Sequence, residues 1–471
     1  MNAQPARSPY YSRSLDFEAL LDEFPTGEEY VRDVHAMPRD QLRTLQERRF
    51  LAQMRRAWQI PFYQRHWGRA GMEPGDIRGL DDLARVPPYD VNDLRESIER
   101  APPWGDYAGI DPRTSDAMPL VFQTSGGTTG LPRPMLYTPR DREVMAITSA
   151  RRLYMAGVRP WDIAQITYSL GLSNAGLLTR EGLWKYTGAI GIPTGSGTSV
   201  STRRQVEIMQ AWKVNVLLGF PAYLRHLADV ARKELDLDVR GLGLKTLLTH
   251  LGVDSREALE ATWGARVFDS YGTNECGSIA ADCEHRCGMH VFEDLFVVEV
   301  NDPVTLAART PGERGTMFVT SLFKHAAPVI RFNSNDISAF VAGTCACGGT
   351  HNRLEKIFGR SDNMVKLRGV NLFPEAVGSV VAEQAWSNGE YVCIVEHAGA
   401  DQREEMTVLV EDTSAAADRT ALQAKLDARF KEVLGVKLVA RVVGPGETDS
   451  YTGLSQTSKI KRLIDRRPQV A

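Results

Sequence analysis

The run Val121–Thr138, VFQTSGGTTGLPRPMLYT, is the part of the chain from which its organisation can be worked out. The centre of this run, Thr124–Gly130, holds three glycines and four hydroxyl residues in seven positions. Such a run forms helices and strands poorly, because glycine loses the most conformational entropy and Ser and Thr compete for backbone hydrogen bonds. Glycine lets backbone N–H groups converge on phosphate oxygens, and hydroxyl groups donate further bonds. We therefore interpret the run as a phosphate-binding loop that follows a strand ending at Leu120–Phe122.

The loop lacks the spacing of a Walker loop, and it lacks G-x-G-x-x-G as well. By itself, a run of Gly, Ser and Thr is more often a flexible connection. The interpretation therefore depends on the motifs that follow the loop in the chain.

Length and composition limit the class of protein. A chain of 471 residues with 43% hydrophobic content predicts two to three globular domains. The net charge of −3 and the isoelectric point near 6.4 argue against nucleic acid or an anionic membrane as the main partner. No apolar run approaches the roughly 20 residues of a membrane helix, and the N-terminus has no signal-peptide pattern. We expect a cytoplasmic protein with no nucleic-acid or membrane partner, and a homodimer is left open.

The segment from Arg140 to about Lys356 alternates helical patterns with short apolar runs, such as NVLLGF, LKTLLTHLG and ARVFDSYG. Strands separated by helices predict parallel α/β layers. A smaller α+β unit of roughly a hundred residues begins near Gly359. In it we expect a helix that starts at Pro374 and a second helix at about 418–434. We expect three strands, at about 390–396, 406–411 and 438–443.

Four further motifs follow the loop: Asp269–Glu275 (DSYGTNE), Ile330–Asp336 (IRFNSND), Gly359–Glu375 (GRSDNMVKLRGVNLFPE) and Ser455–Asp465 (SQTSKIKRLID). With the loop, they resemble the motifs of the adenylate-forming enzymes, in the same order. The third is the most specific, and it is similar to the form carried by the phenylacetate–CoA ligase branch. The resemblance covers nearly the whole chain.

The resemblance implies an α/β fold with two domains. Residues 1–358 would form a large N-terminal adenylation domain of layered α/β subdomains. Residues 359–471 would form a small, mobile α+β lid that rotates about Asp362 between the half-reactions.

The resemblance also implies the chemistry of an AMP-forming acid–thiol ligase. An aryl or arylacetic carboxylate would attack the α-phosphorus of ATP, giving an acyl-adenylate and pyrophosphate, and the coenzyme A thiol would then take the acyl group. Two alternatives stay open. One is the same adenylation with transfer to an amine, a phenol, a carrier-protein thiol or an inorganic nucleophile. The other is a non-catalytic nucleotide-binding protein.

Roles for individual residues follow from the resemblance. Tyr271 would pack on adenine, Asp336 would take the ribose hydroxyls, and Arg360 would bind phosphate and ribose. Glu275 would hold Mg²⁺, since a carboxylate is a hard oxygen ligand, and Asn274 would donate to an oxygen of the phosphate or the acid. The remaining nucleotide-binding candidates are Ser125, Gly126, Gly127, Thr128, Thr129, Gly130, Gly252, Val253, Asp254, Gly272 and Thr273.

Lys459 matches the lysine that enters the site for adenylation, where an ammonium would offset charge in the transition state. Lys461 is the second candidate if the register slips. The chain departs from the family pattern at Gly126, Asn274, Asn335, Asn363 and Ser458. These departures crowd around the phosphate loop, the hinge and the lysine segment, and they are the reason to keep a different acyl acceptor open. Asn335 tolerates a left-handed backbone, so we expect its turn to survive.

The six cysteines do not form a secreted disulfide framework. Cys276 and Cys393 are isolated, and we expect buried thiols. Many members of the branch carry E-C-x-x-x-x-G-x-H and C-x-C-G elements, and both are present here. Three thiolates and one imidazole suit a closed, structural zinc site, for which the predicted ligands are Cys283, His290, Cys345 and Cys347, with Cys287 as an alternate. The opposing interpretation is reduced, buried cysteines without a metal.

Candidates for the wall of the acid pocket are Tyr137, Phe220 and Tyr223. Aromatic residues of this kind are more often core than pocket. Tyr137 is preferred, because it follows the phosphate loop and is bulky enough to meet an aryl ring.

Overall fold

The computed structural model describes residues 10–111, 119–125, 132–363, 365–367, 370–398, 403–414, 418–454 and 460–467. The α-helices are α1 Phe17–Glu23, α2 Gly27–Glu29, α3 Arg39–Ala57, α4 Pro61–Arg69, α5 Val91–Arg100, α6 Pro139–Met155, α7 Asn174–Tyr186, α8 Thr202–Ala211, α9 Pro221–Leu235, α10 Arg256–Trp263, α11 Pro374–Ala382, α12 Arg419–Leu434 and α13 Asp449–Thr452. Short 3₁₀ helices span Tyr11–Arg13, Leu80–Arg85, Val239–Leu242 and Ser361–Asn363, and a π-helix spans Tyr30–His35.

The strands are β1 Val121–Thr124, β2 Pro134–Tyr137, β3 Ile163–Ile166, β4 Ile190–Pro193, β5 Val216–Leu218, β6 Thr246–Thr249, β7 Arg266–Thr273, β8 Gly277–Asp282, β9 Met289–Val291, β10 Phe296–Asn301, β11 Gly315–Ser321, β12 Phe332–Ser338, β13 Phe340–Val341, β14 Arg353–Leu354, β15 Gly359–Arg360, β16 Val365–Leu367, β17 Val370–Leu372, β18 Ser387–Ala398, β19 Arg403–Asp412, β20 Val439–Val443 and β21 Leu463–Asp465.

A nine-stranded sheet is the centre of the large part of the chain, in the order β13-β14-β9-β8-β7-β6-β5-β3-β4. From β4 to β7 the neighbours are parallel, with helices between consecutive strands, as the alternating pattern predicts. The other half is antiparallel, which the sequence analysis did not predict. The reason lies in the connections: β8 follows β7 after only three residues, too few for the crossover that a parallel neighbour requires.

Apolar clusters cover both faces of the parallel half. One cluster packs α8, α9 and α10 against the sheet, with Leu217, Leu247 and Trp263 among its members. A second cluster lies on the other face and includes Leu153 and Ile166. Because helices cover both faces of this half, a ligand can reach it only at the ends of its strands. In such sheets ligands usually bind at the carboxyl ends of the strands.

An antiparallel sheet, β10-β11-β12-β15, lies beside the antiparallel half. β15 holds the first residues of the predicted small domain, yet it pairs with β12, placing Arg360 opposite Asp336. The small domain's own apolar core starts at Val365. The boundary at residue 359 and the rotation about Asp362 stay predictions.

The small C-terminal unit is built on the sheet β20-β19-β18-β21, with α11 and α12 packed on it. The helix from Pro374, the three predicted strands and the second helix are confirmed within a few residues, and Asp418 caps α12. The predictions omitted β21 and the β16–β17 hairpin. Cys276 and Cys393 are fully buried, as expected.

None of the helices in the described ranges has the length and apolar character that a membrane crossing requires.

Candidate functional site

The predicted phosphate loop joins strands β1 and β2, which pair with Thr124 opposite Pro134. The N–H of Ser125 donates to the carbonyl oxygen of Arg133 at 3.0 Å, and the N–H of Thr124 donates to that of Leu172 at 2.8 Å. The flanks of the loop are therefore fixed to each other and to a neighbouring segment. Five predicted loop residues lie outside the described part of the chain: Gly126, Gly127, Thr128, Thr129 and Gly130.

Glu275 is paired with a cation. Its carboxylate forms a salt bridge with Arg133, in which the two side chains are 13% and 6% exposed, and Lys324 Nζ donates to its carbonyl oxygen at 2.8 Å. Burial acts to raise the pKa of Glu275, but the Arg133 guanidinium outweighs it and holds the pKa below its ordinary value. The carboxylate is therefore ionised beside the flank of the phosphate loop, as a magnesium ligand must be.

Asn274 is held through its backbone. Its carbonyl oxygen accepts hydrogen bonds from the Tyr137 hydroxyl at 2.7 Å and from Asn174 Nδ2 at 2.8 Å. Asn174 Nδ2 also donates to the Tyr137 oxygen at 2.6 Å. The Tyr137 side chain is fully buried. The structure therefore places Tyr137 behind Asn274 as a support, whereas the sequence analysis proposed it as a wall of the acid pocket.

Three of the motifs meet at Asp336. The Tyr271 hydroxyl donates to its Oδ2 at 2.7 Å, and Arg360 Nη1 donates to its Oδ1 at 3.1 Å. Burial and the charge of Asp336 raise the pKa of Tyr271, so the phenol keeps its proton and acts as donor. Burial acts to lower the pKa of Arg360, yet Asp362 and Asp336 hold it above the ordinary value. The predicted adenine, ribose and phosphate residues are thus in one hydrogen-bonded group.

The predicted hinge residue lies next to this group. Arg360 donates to both carboxylate oxygens of Asp362, at 2.8 and 2.7 Å. Asn335 Nδ2 reaches Asp362 at 3.4 Å, and the Ser361 hydroxyl donates to the Asn335 carbonyl oxygen at 3.2 Å. Asn335 has φ +62°, so the left-handed turn expected at this departure is confirmed.

The segment Gly252–Asp254 borders an open cleft. It lines a cavity of about 710 Å³ together with Ser379, Ala382 and Glu383 of the small unit, so it is accessible from between the two units. Asp254 also accepts a hydrogen bond from Arg225 at 2.6 Å.

Gly272 and Thr273 form the end of β7, where the chain turns tightly. A Cβ at Gly272 would lie 2.4 Å from the Gly277 carbonyl oxygen, so the close approach of β7 and β8 requires glycine here. Thr273 Oγ1 accepts from the Cys276 N–H at 3.2 Å. Both predicted residues therefore shape the turn that carries Asn274 and Glu275.

Two of the predicted pocket aromatics separate in the structure. Phe220 lies at the carboxyl end of the parallel strands, with its ring centroid 4.9 Å from that of Tyr168 and 5.7 Å from that of His250. Tyr223 is a buried residue of α9 in the apolar cluster that packs on the sheet, and its hydroxyl is 3.3 Å from Thr202 Oγ1 of α8. The structure therefore does not bring Tyr223 to the group around Phe220.

The four predicted zinc ligands converge. One donor atom each from Cys283, His290, Cys345 and Cys347 lies within 4.8 Å of the others. Cys283 Sγ is 3.6 Å from Cys345 Sγ, and His290 Nε2 is 3.4 Å from Cys347 Sγ. Cys287 Sγ lies 3.2 Å from Cys345 Sγ, but it accepts a hydrogen bond from Arg353 and is outside the converged set. Three thiols and one imidazole fit a tetrahedral zinc ion.

Lys459 lies outside the described residues. Lys461, the alternative lysine, lies on the exposed segment before β21, where its N–H donates to the Thr452 carbonyl oxygen at 3.1 Å.

With this geometry in place, comparison with known proteins identifies the family. Residues 369–467 match the model of the AMP-binding enzyme C-terminal domain. The chain is 31% identical over 463 residues to phenylacetate–coenzyme A ligase of Thermus thermophilus, with 93% of this chain and 99% of the relative covered. The chain belongs to the phenylacetate–CoA ligase family. It is an AMP-forming CoA ligase of the adenylate-forming superfamily.

Solved structures agree with this assignment. A structure of 2-hydroxyisobutyryl-CoA ligase in the postadenylation state has a TM-score of 0.80 at 28% identity, with 92% of this chain and 91% of that chain covered. The same enzyme in the thioesterification state has a TM-score of 0.67 at the same identity and coverage. The ligase is therefore closer in shape to the postadenylation state.

The sequence analysis did not name three residues that contact its candidates: Arg133 and Lys324, which contact Glu275, and His250, which lies beside Phe220. Arg133 follows the phosphate loop by a few positions, and a cation beside a predicted anion-binding loop was the available signal. Lys324 and His250 lie in apolar segments, TSLFKHAAPV and LLTHLG, and belong to no motif that was considered. Their positions depend on tertiary contacts.

We expect Asp336→Asn to raise the KM of the ligase for ATP at least about tenfold, because the neutral amide loses charge-assisted hydrogen bonds. The measurement is the initial rate of adenylation against ATP concentration. Asp238→Asn, in an exposed turn beside Arg240, is the matched control and leaves KM unchanged. An unaltered KM in a folded Asp336→Asn variant would contradict the assignment of Asp336 to the nucleotide site.

Proposed function

We propose that this CoA ligase activates an aryl or arylacetic carboxylic acid. One carboxylate oxygen of the acid attacks the α-phosphorus of ATP and forms a P–O bond while pyrophosphate leaves. The sulfur of coenzyme A then attacks the carbonyl carbon of the acyl-adenylate, and AMP leaves. The observation that carries the proposal is the joining of Tyr271, Asp336 and Arg360 in one hydrogen-bonded group at the carboxyl side of the sheet.

The residues divide between binding and charge stabilisation, which is most of what a protein can contribute to phosphoryl and acyl transfer. Asp336 accepts from the ribose hydroxyls, and the Tyr271 ring packs on adenine. Arg360 binds phosphate and ribose oxygens, and Asn274 orients an oxygen of the phosphate or the acid. Lys459 offsets charge in the adenylation transition state. Magnesium, held by Glu275, would supply further positive charge beside the phosphates.

The aryl class rests on the ring cluster at the carboxyl ends of the parallel strands. Tyr168, Phe220 and His250 form it, and flat apolar walls with a few polar atoms are typical of small-molecule sites. The relatives named as phenylacetate–CoA ligases favour the same class. Coenzyme A is the acceptor that those names favour over the other nucleophiles considered.

The first experiment is ATP–pyrophosphate exchange without coenzyme A, against benzoic, cinnamic, phenylacetic and branched aliphatic acids. We expect strong exchange with at least one aryl or arylacetic acid, and AMP and the acyl-CoA thioester when coenzyme A is added. Preference for an aliphatic acid contradicts the substrate class. Absence of exchange with every acid contradicts the proposed adenylation.

The two C-terminal lysines supply a matched pair of variants for this assay. We expect Lys459→Ala to lower exchange at least about 100-fold, since one charge-stabilising group is lost from the transition state. Lys461→Ala keeps exchange near the wild-type rate. The reverse pattern would assign the adenylation role to Lys461.

We further propose that Cys283, His290, Cys345 and Cys347 hold one structural zinc ion. The four donor atoms complete a tetrahedral set, so the ion would have no open position for substrate. Its contribution is to tie the β8–β9 connection to the loop before β14, two segments about fifty residues apart in sequence.

Elemental analysis of protein purified without added metal should give about one zinc per chain. Cys345→Ser loses the zinc and lowers the midpoint of thermal unfolding. Cys393→Ala, which removes a buried thiol outside the cluster, keeps the zinc, and Cys287→Ser keeps it as well. A wild-type protein without zinc, or zinc retained in full by Cys345→Ser, would contradict the site.

A further inference from the structure

His250 lies in the wall of the proposed acid pocket. It is the first residue after β6. Phe220 and Tyr168 are each the second residue after their strands, β5 and β3. The centroid of its ring is 5.9 Å from that of Tyr168 and 5.7 Å from that of Phe220. Tyr168 is fully buried, while Phe220 and His250 are half-buried. The histidine is therefore part of a ring cluster that is still open to a ligand at the carboxyl edge of the sheet.

The hydrogen bond of His250 determines its tautomer. Nδ1 lies 2.6 Å from the carbonyl oxygen of Ser270, an atom that can only accept. Nδ1 therefore carries the proton, and in the neutral ring Nε2 carries a lone pair. Burial and the positive charge of Arg152 lower the pKa of His250 to about 4, against the opposing effect of the Ser270 bond. The ring is neutral at pH 7, and Nε2 is an acceptor.

Arg152 keeps this arrangement fixed. Its side chain is buried, and it donates to Ser270 Oγ at 3.2 Å and to Thr179 Oγ1 at 2.5 Å. The Ser270 hydroxyl donates in turn to the carbonyl oxygen of Thr249 at 3.1 Å. Ser270, whose carbonyl oxygen accepts from His250, is thus held by hydrogen bonds to both Arg152 and Thr249. The positive charge of Arg152 opposes protonation of the His250 ring.

The Nε2 atom has no hydrogen-bond partner among the described residues, and it is not one of the fully buried unsatisfied atoms. The His250 side chain is half-buried, and the rings of Tyr168 and Phe220 lie beside it. An aryl acid that covered Nε2 without donating a hydrogen bond would leave its lone pair unsatisfied, which costs binding energy. An acid with a donor at this position would avoid that loss.

We propose that His250 determines substrate specificity by accepting a hydrogen bond at Nε2 from a hydroxyl or amino group on the acid. The substrate class is then a hydroxy- or amino-substituted aryl or arylacetic acid. This inference rests on the proposed adenylation of an aryl acid, and it adds the polar group that distinguishes the substrate.

The test compares matched acids in pyrophosphate exchange. Each positional isomer of hydroxy- and aminophenylacetic and benzoic acid is compared with its methoxy counterpart and with the unsubstituted acid. We expect the wild type to prefer one hydroxy or amino isomer over its methoxy counterpart by at least about tenfold in kcat/KM. The difference should lie mainly in KM if the bond is already made in the bound acid.

Variants connect that preference to His250. His250→Val should lose the preference, so that the donor-bearing acid and its methoxy counterpart have similar kcat/KM values. His250→Gln, whose amide oxygen can replace the acceptor, should restore part of it. His397→Val, which removes an exposed histidine of β18, is the matched control and should keep the wild-type preference.

The outcomes are distinguishable. Exchange with aryl acids that shows no preference for a donor, or a preference that survives in His250→Val, overturns the role of His250 and leaves the proposed function intact. Absence of exchange with every acid contradicts the proposed function, and this inference with it. If His250→Val does not fold, His250→Gln decides the question: a preference reduced below that of the wild type supports the role of His250, and an unchanged preference with the His397→Val control also unchanged overturns it.

Discussion

The carboxylate of Asp336 is the contact on which the candidate site depends. It lies on β12 of the antiparallel sheet, accepts from Tyr271 of the central sheet, and accepts from Arg360 just before the small unit. One charged group therefore joins β7 of the central sheet to β12 and β15 of the antiparallel sheet. Its side chain is only 14% exposed, so the guanidinium and the phenol supply hydrogen bonds in place of water. A ribose that bound here would compete with these same partners for the carboxylate oxygens.

A second carboxylate, that of Glu275, organises the phosphate side. Arg133 fixes it from the flank of the loop, and Lys324 holds its backbone. Arg133 and Lys324 place two cations beside the flank of the loop, and Glu275 and Asp141 are the carboxylates near them. Tyr137 and Asn174 meanwhile hold the backbone of Asn274. The candidate groups at Glu275 and Asn274 are thus positioned by buried residues.

The sequence predicted those parts of the fold that have local signals. Apolar runs bounded by helices identify β5, β6 and β7, and Pro374 marks the start of α11 because its fixed φ suits a first helical turn. The antiparallel half of the central sheet was missed, because strand order depends on distant pairings. The motifs Asp269–Glu275 and Ile330–Asp336 identified Tyr271 and Asp336, although their direct hydrogen bond could not be predicted. Tyr137 was assigned to the pocket from its position after the loop, and only tertiary contacts show that it supports Asn274. His250 had no motif at all, and its chemistry depends on a carbonyl oxygen twenty residues away.

The most direct measurement of the account is a crystal structure of the ligase with a non-hydrolysable acyl-adenylate analogue of an accepted aryl acid. The account predicts that both ribose hydroxyls lie within hydrogen-bond distance of the Asp336 carboxylate, with the adenine against Tyr271 and the acyl group toward Phe220. An analogue bound elsewhere, with Asp336 still contacting only protein groups, would contradict it.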